Sequence, residues 1–182
     1  LPLHKRNIPR MAKSSIRKTP PKSRKLGALP EWDLTDLYSG LDSPEIKWDL
    51  ENSDNQCVAF EQAFKGRLQA LATGEGAGSA LAAAVKRYEA LEDKLGRLSS
   101  YASLVYAGNT TDPLRAKFYG DVQERITAAW VHLLFFTLEL NRIDDAALEA
   151  ALRDPALGHY WPWIEDVRKE KPYQLEDRVE QL

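Results

Sequence analysis

From Leu81 to Val105 the apolar residues fall at alternating intervals of three and four: Leu81, Ala84, Tyr88, Leu91, Leu95, Leu98, Ala102 and Val105. A helix of 3.6 residues per turn puts these positions on one stripe, and an apolar stripe of this length demands a second helix to cover it. The chain supplies one. After a short turn at Gly108, Thr111 or Asp112 stands where a helix cap is needed, and Pro113 occupies the first turn, where its missing N–H costs nothing. Leu114, Phe118, Val122, Ile126, Ala129, Leu133, Phe136 and Leu140 then form the facing stripe. Trp130, Val131, Leu134, Phe135 and Leu138 fill the other faces, which predicts a second arm enclosed on every side. The expected centre is a long antiparallel helical hairpin.

Shorter helices flank it. Ser43 before Pro44 opens a helix predicted to run to about Ala72, with a bend or break in the polar stretch Asn52 to Gln56. Gly74, Gly76 and Gly78 follow; no strand precedes them and no Gly-Lys-Ser/Thr comes after, so they read as an interhelical loop and not a phosphate cradle. Asp144 caps a short helix from Ala146 to Leu152, Leu157 to Glu170 forms another, and a further one begins at Glu176 and continues to Leu182. No alternating strand pattern occurs, and the fold class is all-α.

Charge divides the chain in two. Residues 1–25 carry nine Lys or Arg and no acid, leaving 16 basic residues against 27 acidic ones afterwards, a body of about −11. A negative body repels phosphate backbones, and the tail has no aromatics to stack on bases, so no nucleic-acid partner is expected. Residues 1–28, with Pro2, Pro9, Pro20 and Pro21, are expected to be a disordered basic tail, because such a composition buries too little apolar surface to offset its ordering entropy. The tail has neither the apolar run of a secretory signal nor the periodic face of a transit peptide, although a leader remnant or a start at Met11 stays open. Ala128 to Leu140 is the longest strongly apolar window and falls well short of the about 20 residues of a membrane helix, so no membrane span is expected. The lone Cys57 fits a reducing compartment, and the expected location is cytoplasmic.

Catalytic chemistry is hard to find in this composition. A helical zinc site wants two histidines four apart, and His4, His132 and His159 are not so spaced. His132 reads as a hydrogen-bonded core histidine and His159 as a residue that caps or packs at a helix end. Cys57, between apolar neighbours and without a motif, reads as structural. The carboxylate pairs Glu92 and Asp93, and Asp144 and Asp145, read as solvated faces or helix caps. Asn109-Thr110-Thr111 fits a glycosylation pattern, which matters only on export. No catalytic, cofactor-binding or metal-ligating residue is assigned.

Several stretches in order carry a resemblance: LPEWDLTDLYSGLDSPE (29–45), FEQAFKGRL (60–68), YEALEDKLGRLSSYASLVYAGNTTDP (88–113), FFTLELNRI (135–143) and DPALGHYWPWIEDVRKEKPYQLEDRVEQL (154–182). Together they resemble the amino-terminal portion of the oligoendopeptidase F family, zinc metallopeptidases related to the thimet oligopeptidases. The last stretch is similar to the family's Lys-Pro-His-x-Leu-Ser element: Lys171, Pro172, Leu175 and Glu180 match, while Tyr173 replaces the histidine and Glu176 the serine.

The resemblance implies that residues 29–182 form the helical lobe at one end of a larger peptidase. It also implies that the zinc and the His-Glu-x-x-His helix belong to a carboxy-terminal catalytic domain, the expected partner, whose motif does not occur here. The lobe would form one wall of a channel admitting short oligopeptides and be inactive alone, with self-association expected where surface made for the other domain is exposed. A stand-alone helical interaction module without enzymatic activity is the competing expectation.

Overall fold

The structure, a computed structural model, describes residues 32–175 and residue 179. The expectations for the basic tail and, Val179 apart, for the helix at Glu176 to Leu182 fall outside the described residues. Eight α-helices appear among the described residues: α1 (Pro44–Phe64), α2 (Leu68–Thr73), α3 (Ala77–Gly108), α4 (Pro113–Val131), α5 (Leu134–Arg142), α6 (Asp145–Ala151), α7 (Pro155–Gly158) and α8 (Trp161–Lys169). A 3-10 turn at Lys171–Tyr173 follows, and no strand occurs among these residues. The fold is all-α.

The α3 stripe is the spine of the core. Leu81, Ala84, Leu91, Leu95, Leu98, Ala102 and Val105 are buried, and Tyr88 packs partly buried beside them. Full burial of each leucine or valine among them is worth about 1.5–3 kcal/mol. Asp112 caps α4, its carboxylate accepting from the Leu114 and Arg115 amides. Tyr106 stacks on Tyr119 with centroids 5.1 Å apart, and Gln123 donates to Ser99 at 3.1 Å, so α3 and α4 run in opposite directions along their contact. The helix α3 starts at Ala77, one turn before the first residue of the stripe, Leu81. Gly76 at φ +67 turns the chain into it, and Gly78 lies buried where its missing side chain lets the helix end approach α6 and Asp154.

Three predicted helices are divided differently. The helix from Pro44 continues through Asn52 to Gln56 without a break and ends instead before Lys65–Arg67, where Gly66 adopts φ +75. Within the polar stretch Ser53 and Asn55 return their side chains to the Asp49 and Glu51 carbonyls, a local bonding the helix tolerates. The second arm is two helices, parted at His132 and Leu133, where successive amides bond to the carbonyl three residues back. It is also not enclosed: Trp130 is 41% and Val131 57% exposed, because the break rotates the apolar faces of α4 and α5 toward different neighbours. The helix expected over 157–170 is α7 and α8, because Pro162 has no N–H to donate to the Gly158 carbonyl. Asp144 caps α6, accepting from the Ala147 amide as predicted.

Each break is tied by a distant side chain. His132 meets Glu61 of α1 at 2.5 Å, Glu139 of α5 accepts from the Gly66 amide at 2.6 Å, and Gln69 of α2 accepts from the Asp144 amide at 3.0 Å. Arg168 of α8 donates to the Leu140, Asn141 and Ile143 carbonyls, satisfying the acceptors left free where α5 ends, and pairs with Asp145. Before α1, the buried Tyr38 donates to Asp49 at 2.8 Å, meets Tyr101 edge-on at 5.2 Å, and lies 4.3 Å beneath the Arg97 guanidinium. The irregular opening stretch thus leans on α1 and α3.

Candidate functional site

A cleft opens where α8 passes over the first half of α3. It encloses about 310 Å³, with Val85 of α3 at its base. Tyr88, Tyr160 and Trp163 form aromatic walls, and Glu89, Glu92 and Asp93 supply the polar groups. The heptad seam builds the site: Tyr88 sits on the stripe, and Glu92, one helical turn later, follows it toward α8. Tyr88 is held by stacking on Phe136 at 4.7 Å and lies 5.8 Å from Trp163. Tyr160, between α7 and α8, donates to Glu89 at 2.9 Å.

Glu92 is the strained electrostatic element. Burial raises its carboxyl above the ordinary range and the Asp93 charge adds to this, while a hydrogen bond from Tyr88 works the other way. One of its oxygens, Oε1, is fully buried and has no hydrogen-bond partner. The expectation of a solvated Glu92 is therefore corrected: the side chain is half-buried in the lining of a cleft it shares with Tyr160 and Trp163, and no periodicity within α3 announces that residues so much later in the chain will come to lie there. Its spacing of four from Tyr88 was the one legible signal. Asp93 is exposed, as expected.

The other sequence candidates lie apart from this cleft. Cys57 is fully buried and its thiol is pushed up to about 11, by burial first and then by Asp54 and Glu92, in accord with a structural role. His132 is hydrogen-bonded as expected, yet it caps the end of α4 half-buried and is not a core residue. His159 ends α7 with its ring edge-on to Tyr160 at 5.1 Å, which is the packing role expected of it. Asp145 pairs with Arg168 and Lys171. Among the described residues no three His, Cys, Asp or Glu side chains gather closely enough to hold a metal ion. No described helix is long and apolar enough to cross a membrane.

A second cavity of about 310 Å³ lies between α5 and α8, lined by Thr137, Asn141 and Gln174 among others. The Asn141 carboxamide oxygen is buried without a partner. Most of this lining falls within the segment that links the chain to known proteins. Residues 139–182 match the family model described as Oligopeptidase F. The match supports an oligoendopeptidase F-family amino-terminal portion. It takes in α6, α7, α8 and the turn at Lys171–Tyr173, where Lys171 pairs with Asp145 at 2.9 Å and the substituted Tyr173 stands exposed. No curated protein and no solved structure matches the chain.

Proposed function

We propose that this chain is the amino-terminal helical lobe of an oligoendopeptidase F-like zinc metallopeptidase, forming part of the wall of a channel that admits short oligopeptides and cleaving nothing alone. The observation that carries this reading is the family match over residues 139–182, on a fold that is helical throughout the described residues. The sequence contains no His-Glu-x-x-His, and the described residues assemble no donor set for zinc, so no hydrolytic step is derived from them. In this reading zinc polarises the scissile carbonyl from a carboxy-terminal catalytic domain, and the lobe selects by size. A cytoplasmic setting would keep the buried Cys57 reduced.

The test compares the purified 182-residue chain with the protein encoded when the reading frame is followed past Leu182, using a quenched short peptide with and without a chelator. Cleavage is expected from the longer protein alone, and the chelator should abolish it. Hydrolysis by the 182-residue chain would overturn the assignment of chemistry. A stop codon directly after Leu182 would favour the stand-alone interaction module.

A further inference from the structure

We propose that the described helices form two blocks that hinge against each other at one level of α3, where the breaks at Lys65–Arg67 and at His132 and Leu133 lie side by side. The paired residues fix that level. Asp54 meets Arg125 at 2.8 Å, Glu61 meets His132 at 2.5 Å, the Gly66 amide donates to Glu139 at 2.6 Å and the Asp144 amide to Gln69 at 3.0 Å, so α1 and α2 run parallel to α4 and α5 in one register. Both run against α3. Lys94 donates to Gln56 at 3.0 Å while Phe60 lies 6.1 Å from Tyr88, and Gln123 bonds Ser99 while Phe136 stacks on Tyr88 at 4.7 Å. Each break therefore crosses α3 close to Tyr88. On one side of this level α1 packs along α4; on the other, α2 packs along α5 and α6, with α8 on α5. Of the long helices only α3 runs unbroken through both blocks.

What joins the blocks is suited to movement. Hinges are element ends that absorb a change in backbone angle, and both breaks supply them: Gly66 at φ +75, and the amides of Arg67, His132 and Leu133 bonded to the carbonyl three residues back. Phe60, one turn before the end of α1, meets Phe136 at 5.1 Å and Phe135 at 5.7 Å across the breaks. Apolar contact has no preferred direction, so this ring cluster serves as the pivot. The polar ties are different. The Glu139 bond to Gly66 is exposed and the Glu61–His132 pair is partly so, and water replaces such contacts at little cost. The unbroken α3 takes up the tilt as the gentle curvature that long helices adopt. The inference does not rest on the peptidase reading; on that reading, the tilt reshapes the wall of the channel.

The experiment measures distances between pairs of nitroxide labels on the full chain by double electron–electron resonance, with unlabelled chain in excess so that only distances within one molecule register. Glu45→Cys, Ala70→Cys, Ala128→Cys and Glu165→Cys, all at exposed positions, are introduced two at a time in a Cys57→Ala background. Glu45 with Ala128, and Ala70 with Glu165, sit within one block; Glu45 with Ala70, and Ala128 with Glu165, span the breaks. The spanning pairs should give broad or two-peaked distance distributions and the pairs within a block single narrow ones. Glu139→Ala, which removes the tie to Gly66, should shift the spanning distributions and leave the others unchanged. Circular dichroism melts establish that each labelled chain is folded, and the comparison between pairs needs no change at Glu139. Spanning distributions as narrow as those within a block, or a folded Glu139→Ala chain whose spanning distances stay fixed, would overturn the proposal.

Discussion

At Cys57 and Glu92, burial alone sets the chemistry. Cys57 is fully buried with its thiol pushed up to about 11, so at neutral pH it holds almost no thiolate. The native chain should react with a disulfide reagent only as fast as it opens, and the thiol should become reactive at once in urea; rapid native labelling would contradict this. Glu92 has its carboxyl raised in the folded state, so it contributes stability below its unfolded value of 4.5 that is lost as pH rises through the folded titration. Glu92→Gln should therefore raise the melting temperature at pH 7 and lose that advantage well below pH 4.5, a difference that paired melts across pH will measure. The sequence identified Cys57 correctly because its neighbours Val58 and Phe60 are close in the chain. It misplaced Glu92 because the residues that share its cleft, Tyr160 and Trp163, lie some seventy positions away.

Among the helices, caps and prolines were legible, and breaks made by packing were not. Ser43 and Asp144 each cap the helix they were expected to cap, and of the two candidates Thr111 and Asp112 it is Asp112 that caps α4, since a side-chain oxygen and a free amide within three residues settle the matter locally. The breaks at Gly66 and His132 depend on Glu139 and Glu61 arriving from other helices. Gly78 belongs to the same class. A Cβ there would stand 2.2 Å from the Asp154 Cβ and 2.6 Å from the Ala151 carbonyl oxygen, so Gly78→Ala should cost about 1–3 kcal/mol through overpacking. Gly120, in α4 with open space around it, provides the contrast: Gly120→Ala should stabilise by about 0.5–1 kcal/mol. Urea unfolding of both variants measures the pair, and equal effects would show that the approach of α3 to Asp154 is not tight.

Across the described residues, large apolar side chains remain largely exposed: Trp32 at 71%, Leu114 at 72%, Trp48 at 59%, and Trp130 beside Val131 at the end of α4. On the proposed reading some of this surface meets a catalytic domain, and an isolated lobe should self-associate. Sedimentation velocity over a wide concentration range should show a rising mean mass, and a species that stays monomeric at the highest concentration would argue against that surface being an interface. The all-helical class, the buried α3 stripe and the caps follow from periodicity and nearest neighbours, which the order of residues carries by itself. Only the tertiary structure decided where the long helices divide, which tryptophans face solvent and which carboxylate lies under an aromatic wall. Those outcomes rest on contacts between residues tens of positions apart, and a pattern read along one helix holds no record of which face of another will come to lie against it.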